Sequence, residues 1–238
     1  MLERLTGDLF KVRYTFGSNV YLIAGSRLAM VDAGFPMDLA AILLGLRALD
    51  VSPGDLDLVV LTHYHGDHVG TVAGLRKRYG VRAAMHEMDS RYAVGTVPQE
   101  TCEAKALTLL FYTALWPLFR YRHFEVDWPL HGGETLDLLG GLQVIHTPGH
   151  SVGSICLYDQ KNGFLFSGDL IRNEDCMLQG PPEHFTTDPE ATAVTLRKVA
   201  EIEFDVLLPG HGRPIIGGAG DFFRTQLEEG RIWPLSEM

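Results

Sequence analysis

Leu58-Val59-Val60-Leu61-Thr62-His63-Tyr64-His65-Gly66-Asp67-His68 decides how the rest of this chain is read. An apolar run of strand length stops, and His63, His65, Asp67 and His68 follow almost at once. Side chains alternate along an extended backbone, so His-x-His at a strand end sends both imidazoles to one side, where they can reach one ion. Asp67 and His68 come next, on a turn that Gly66 and Gly70 allow to be tight. Four ligands so close together exceed what one tetrahedral zinc draws from a single segment, so the turn is expected to feed two neighbouring ions. A surface histidine cluster is the plainer alternative, but the cluster begins where a buried strand stops.

The partners needed to complete two sites stand elsewhere, each after an apolar strand. His150 follows Leu142-Gln143-Val144-Ile145-His146-Thr147-Pro148-Gly149, Asp169 follows Gly163-Phe164-Leu165-Phe166-Ser167-Gly168, and His211 follows Phe204-Asp205-Val206-Leu207-Leu208-Pro209-Gly210. The order is the same each time: strand, glycine, ligand. Singly these are ordinary turn residues. Together with the first four they make up two metal sites.

On these motifs the chain resembles the metallo-β-lactamase-fold hydrolases: His-x-His-x-Asp-His at 63–68, Thr-Pro-Gly-His at 147–150, Ser-Gly-Asp at 167–169 and Pro-Gly-His at 209–211. Met30-Val31-Asp32-Ala33-Gly34 is similar to the family's first motif, in which an aspartate supports the ligands from behind. The resemblance implies a four-layer αββα sandwich. It also implies that His63, His65 and His150 hold one ion, that Asp67, His68 and His211 hold the other, and that Asp169 bridges them. Asp32 would fix a ligand imidazole, and Thr62 would help in the same way.

Composition narrows the remaining choices. The 238 residues, 46% of them hydrophobic, suffice for one large domain, and no linker or low-complexity stretch divides it, so 1–238 is expected to be a single domain. Cys102, Cys156 and Cys176 form no closely spaced pair, which fits a reducing cytosol. The opening Met1-Leu2-Glu3-Arg4-Leu5-Thr6-Gly7-Asp8 has neither the basic nor the apolar region of a secretory signal, so a cytoplasmic location is expected. A formal net charge of −10 argues against a nucleic-acid partner.

Hydrophobic periodicity predicts strands near Leu9 to Tyr14, Asn19 to Ala24, Leu28 to Val31, Val59 to Thr62 and Arg82 to His86. A later group is expected near Glu134 to Leu138, Gln143 to His146, Ser154 to Tyr158 and Phe164 to Phe166. Helices are expected over Met37 to Leu49, His68 to Tyr79 and onward from Thr187-Asp188-Pro189, where Asp188 caps and Pro189 fills the first turn. Without the resemblance this is mixed α/β and no more.

An aromatic-rich helical insertion is expected near 98–124. Its run from Ala106 to Phe119 carries no charge, yet it is shorter than the roughly 20 residues that span a bilayer and contains Pro117. It reads either as a buried helix or homodimer interface, or as a lid over the metals. As a lid it would bring Phe111 and Trp116 to an apolar substrate portion. Arg172, Asn173 and His184 follow the bridging aspartate and are further candidates for substrate contact. His146 reads as a strand residue near the site, and His86, His123 and His131 as packing or surface histidines.

Two divalent ions held together lower the pKa of a shared water and polarise a substrate carbonyl or phosphoryl oxygen. The expectation is therefore a hydrolase with Asp67 and Asp169 as its catalytic carboxylates. Two metal ions are implied, zinc by default, with iron or manganese as alternatives. The aspartate at 169 is similar to that of glyoxalase II and lactonase-type enzymes, and true zinc β-lactamases lack it. His65 stands where the family's di-iron flavoproteins carry glutamate. The stretch after His211 is too short for the glutathione-binding domain of typical glyoxalase II, and Arg172 stands where acyl-homoserine lactonases have tyrosine. The leading expectation is cleavage of a thioester, lactone or other carboxylic ester of a small, partly apolar molecule. Phosphodiester or phosphotriester hydrolysis on the same site, or a metal-containing binding module, are the alternatives.

Overall fold

A computed structural model describes residues 1–98, 119–174 and 177–232. The chain forms two compact units, one of Met1–Met85 with Ser90–Pro129 and the other of His86–Asp89 with Leu130–Met238. The expected insertion near 98–124, with Phe111 and Trp116, lies almost wholly outside the described residues, as do Cys102 and Cys176.

The first unit is built on a seven-stranded sheet in chain order: β1 (Leu2–Thr6), β2 (Leu9–Val12), β3 (Tyr21–Ala24), β4 (Leu28–Val31), β5 (Leu58–Val60), β6 (Arg82–His86) and β7 (Trp128–Leu130). Hairpins join β1 to β4 antiparallel, and then β4, β5 and β6 run parallel. β5 lies inside the sheet and every one of its side chains is buried, which is why its sequence is continuously apolar instead of alternating. Helices α1 (Leu39–Ala48), α2 (Gly66–Val69), α3 (Val72–Tyr79) and α4 (Glu87–Val94) follow the strands. Ile42, Leu46 and Leu75 from these helices pack with Leu22, Met30 and Val59 in one apolar core.

Several boundaries differ from the sequence reading. The strand expected to reach Tyr14 ends at Val12, because Tyr14 adopts a left-handed φ of 67°. The single helix expected from His68 to Tyr79 is two, α2 ending at Val69 and α3 starting at Val72. The strand carrying the first ligands ends at Val60, before Thr62. β1, α4 and β7 were not foreseen.

The strands of the second unit's main sheet are β8 (Thr135–Leu136), β9 (Leu142–His146), β10 (Ile155–Asp159), β11 (Phe164–Gly168), β14 (Val206–Pro209) and β15 (Ile215–Ile216). These six lie side by side in the order β15-β14-β11-β10-β9-β8. A separate hairpin pairs β12 (Arg172–Glu174) with β13 (Met177–Gln179). α5 (Pro189–Ala200) begins as expected, with the Asp188 carboxylate accepting from the Ala191 N–H at 2.9 Å and Pro189 in the first turn. With α6 (Ala219–Glu228) it buries Leu196, Val199 and Phe223 against Leu165 and Leu207 of the sheet. Two sheets with attendant helices bear out the mixed α/β class.

Candidate metal centre

In the first unit the candidate ligands gather where parallel strands end. Val31 of β4 is in register with Val60 of β5, so the residues that follow both strands emerge side by side. The Asp32 N–H donates to the Val60 carbonyl at 3.0 Å, and the Thr62 N–H donates to Asp32 Oδ1 at 2.9 Å. Thr62 Oγ1 donates to Asp32 Oδ2 at 2.9 Å and lies 3.1 Å from His63 Nδ1. Asp32 Oδ2 lies 2.9 Å from His68 Nδ1, with both side chains buried. A carboxylate at Nδ1 holds the proton there and leaves Nε2 as the coordinating atom.

Beyond Val60 the chain bends at Thr62, and His65, which precedes α2, is extended with φ −61° and ψ 148°. His63 Nε2 and His65 Nδ1 approach to 3.0 Å, and the His63 and His68 rings lie 4.0 Å apart. The two imidazoles converge, though the loop after the strand delivers them and not the strand itself. Asp67, in the single turn of α2, places Oδ2 3.8 Å from His68 Nε2. This turn lies directly on the 33–36 loop: the Ala33 N–H donates to the His68 carbonyl at 2.7 Å and Gly70 N–H to the Gly34 carbonyl at 2.8 Å. A Cβ on Gly70 would collide with the backbone of Gly34, Phe35 and Pro36.

In the second unit another parallel pair does the same work. Gly168 of β11 is in register with Pro209 of β14, and the Gly210 N–H donates to the Gly168 carbonyl at 2.7 Å. Asp169 and His211 leave neighbouring strand ends together. His150 sits on the turn between β9 and β10, which are antiparallel neighbours with His146 opposite Ile155. The outcome is a carboxylate between two imidazoles: Asp169 Oδ2 lies 3.5 Å from His150 Nε2, and Asp169 Oδ1 lies 3.4 Å from His211 Nε2.

The other residues singled out in the sequence are engaged locally. The Arg172 guanidinium donates to the Gly180 carbonyl, Glu174 and Gln179 at 3.0–3.1 Å. Asn173 is buried and clasps the His211 turn, with its N–H donating to the His211 carbonyl at 3.1 Å and Nδ2 to the Arg213 carbonyl at 2.8 Å. His184 lies in a short 3₁₀ turn beside Phe185. His86 is buried and stacks on His146 with ring centroids 4.0 Å apart, His131 is exposed beside Glu87, and His123 Nδ1 reaches the Ala93 carbonyl.

Among the buried carboxylates that sequence reasoning missed are Asp38 and Asp89. Asp38 accepts from the backbone N–H groups of Phe16, Gly17 and Phe35. Asp89 accepts from Ser151 and Gly153, beside His150. Neither acid's own neighbours signal its burial, because most of the donors that it meets come from other parts of the chain. Burial pushes the Cys156 thiol up to about 12, so it stays protonated at neutral pH and supplies no nucleophile.

Five imidazoles and two carboxylates, His63, His65, His68, His150, His211, Asp67 and Asp169, carry donor atoms of the kind a divalent ion takes. Within the first unit imidazole nitrogens already converge, and the one bonded to Asp32 has its coordinating tautomer set. Within the second, one carboxylate offers an oxygen to each of two rings. Each set is of the kind that a divalent ion takes.

The sequence profile of the Metallo-beta-lactamase superfamily matches residues 13–211, and the chain belongs to that superfamily, whose members bind divalent metals. "Probable metallo-hydrolase YflN" of Bacillus subtilis (strain 168) is 27% identical over 230 residues, which cover 89% of this chain and 86% of that one. "Acyl-coenzyme A thioesterase MBLAC2" of Gallus gallus is 29% identical over 219 residues, 82% of this chain and 72% of its own. The crystal structure of metallo-beta-lactamase family protein TTHA1429 from Thermus thermophilus matches with a TM-score of 0.71 at 23% identity, covering 94% of this chain and 80% of that one. The fold is that of the metallo-β-lactamase sandwich, and the family is one of metallo-hydrolases. Among the described residues, no helix is long and apolar enough to cross a membrane.

Proposed function

We propose that residues 1–238 act as one dinuclear metal-dependent hydrolase domain that cleaves an ester-type bond, a thioester, lactone or other carboxylic ester, in a small and partly apolar molecule. His63, His65 and His150 would hold one ion, Asp67, His68 and His211 the other, and Asp169 would serve both. The observation that carries this reading is the placement of Asp169, one oxygen toward His150 Nε2 and the other toward His211 Nε2. A bridging carboxylate needs that arrangement.

When bound, such a pair of ions lowers the pKa of water toward neutrality and withdraws electrons from the scissile carbonyl. The chain's own residues do the rest. Asp67, part-exposed at the head of α2, takes the proton of the attacking water on its carboxylate. Asp32 and Thr62 keep His68 and His63 turned toward the ions, and the inert Cys156 leaves water as the nucleophile. Zinc is the metal this donor set takes by default. The likeness to a thioesterase favours the ester reading, and the net charge of −10 disfavours a phosphodiester polyanion. Scattered cysteines favour a cytoplasmic setting, and the apolar 104–124 segment favours a lid or a homodimer contact.

The test is initial hydrolysis rate of the zinc-loaded protein on matched thioester, acyl-lactone and phosphodiester substrates, with Asp169→Asn as control. One ester class should turn over with kcat/KM above about 10⁴ M⁻¹s⁻¹ and lose that rate in the variant. Turnover confined to the phosphodiester, or ester rates that Asp169→Asn leaves intact, would sink the reading.

A further inference from the structure

His150 stands on the turn between β9 and β10, and a ligand on a turn is only as well aimed as the turn is fixed. Its preceding side is tied down by backbone-directed bonds: Thr195 Oγ1 donates to the Pro148 carbonyl at 2.9 Å, and the Asp188 N–H to the Gly149 carbonyl at 2.9 Å. Both the N–H and the hydroxyl of Thr187 reach the His150 carbonyl at 3.2 Å. The following side, Ser151 to Ser154, is held differently. Ser151 Oγ donates to Asp89 Oδ2 at 2.6 Å and the Gly153 N–H to Asp89 Oδ1 at 2.7 Å, while Ser154 Oγ lies 2.7 Å from Ser151 Oγ and accepts from the Ser151 N–H at 3.0 Å.

Asp89 is fully buried, 0% exposed. Removing a carboxylate from water is costly unless donors are already in place, and a buried polar group is tolerated where it selects one arrangement over its neighbours. The backbone is shaped to that end. A Cβ on Gly153 would come within 2.6 Å of Asp89 Oδ1 and 2.7 Å of the Asp89 N, so glycine at 153 lets the turn close onto the acid. Asp89 comes from a segment 62 residues before Ser151, so it adds a long-range tether to the bonds that Ser151 makes within the turn to Ser154 and Gly149.

We propose that Asp89 is a positioning residue for His150: through Ser151 and Gly153 it fixes the turn that aims the imidazole at its ion. The assignment rests on His150 being a metal ligand, as proposed above. Asp89 differs from Asp32, which bonds a ligand ring directly; Asp89 acts through the residue that adjoins His150 in the chain.

The decisive experiment measures zinc affinity at each of the two sites by competition with a chelating dye, together with the visible spectrum of the Co²⁺-loaded protein and the melting of metal-free protein. Wild type, His150→Ala, Asp89→Asn and Ser151→Ala are compared. Asp89→Asn should weaken by about 10–100-fold the same ion that His150→Ala removes, leave the other within about twofold, and change the cobalt spectrum. Ser151→Ala should do the same to a lesser degree, and it carries the decision alone where Asp89→Asn does not fold. Wild-type affinity at both sites in the variants would overturn the proposal. So would parallel loss of both ions with a lowered melting temperature of the metal-free protein, since that marks a role in the fold alone. If wild type binds fewer than two ions, or His150→Ala keeps both, the metal assignment itself fails, which separates the two failures.

Discussion

Oδ2 of Asp32 lies 2.9 Å from Nδ1 of His68, with both side chains buried and with Thr62 bonded to the same carboxylate. Asp32 holds this position with a left-handed φ of 57°, uncommon for a residue with a side chain. Its carboxylate is what the backbone bends to deliver. Replacing it with asparagine keeps the shape and removes the charge that sets the His68 tautomer. Asp32→Asn should lower metal affinity by about 10–100-fold, measured by chelator competition. Unchanged affinity would mean that His68 does not depend on this bond.

Asp38 offers one carboxylate to three backbone donors, the N–H groups of Phe16 and Phe35 at 2.8 Å and of Gly17 at 3.1 Å. Asp38→Ala leaves these donors unsatisfied and should cost about 3 kcal/mol in urea unfolding, discounted where water reaches Phe16. Asp38→Asn, which keeps an acceptor, should cost less. Equal losses for the two would show that packing and not hydrogen bonding is at stake.

Gly70 presents a contest between two effects. It lies in a helical conformation, where alanine is preferred by about 1 kcal/mol. A Cβ there meets the backbone of Gly34, Phe35 and Pro36, and backbone cannot swing aside as a side chain can. Overpacking of about 1–3 kcal/mol or more should win. Gly70→Ala is expected to melt lower than wild type, and a higher melting temperature would show that the 33–36 loop yields freely.

His86 is depressed below its ordinary value of 6.5 by burial first and by the stacked His146 second; the carbonyl of His131 and the charge of Glu134 oppose this, and the His131 ring adds to it. A histidine lowered in the folded state is protonated more readily in the unfolded chain. Stability is then lost as pH falls from about 6.5 toward the lower folded value, and the loss levels off below it. The difference in unfolding free energy between wild type and His86→Gln, followed from pH 7.5 to 5, should shrink over that window. A constant difference would remove His86 as a source of acid sensitivity.

How much of this was legible in the sequence follows from what periodicity and spacing can encode. The candidate ligand positions announce themselves because each follows an apolar strand and lies in a motif of fixed spacing, as at His63 to His68. Asp188 and Pro189 mark their helix start because capping chemistry is local. β1 went unseen: Leu2 to Thr6 is part-exposed, and its register opposite Val12 belongs to the hairpin and not to its own composition. α6 was missed although its buried Phe223 has helical neighbours, since no cap but Gly218 precedes it. Asp38 lies in an apolar stretch and Asp89 in a polar one, and only the folded chain brings their donors to them.

The pairing of Gly168 with Pro209 has one further consequence. Asp169 and His211 are set beside one another by two adjacent strands, and Asn173 clasps the His211 turn, so their spacing does not depend on the length of the chain that connects them beyond Asn173. The β12–β13 hairpin, the 3₁₀ turn and α5 all lie in that connection. A descendant of this chain could lengthen, shorten or rebuild the excursion beyond Asn173, and with it whatever it recognises, without retuning the distance between the two candidate ligands.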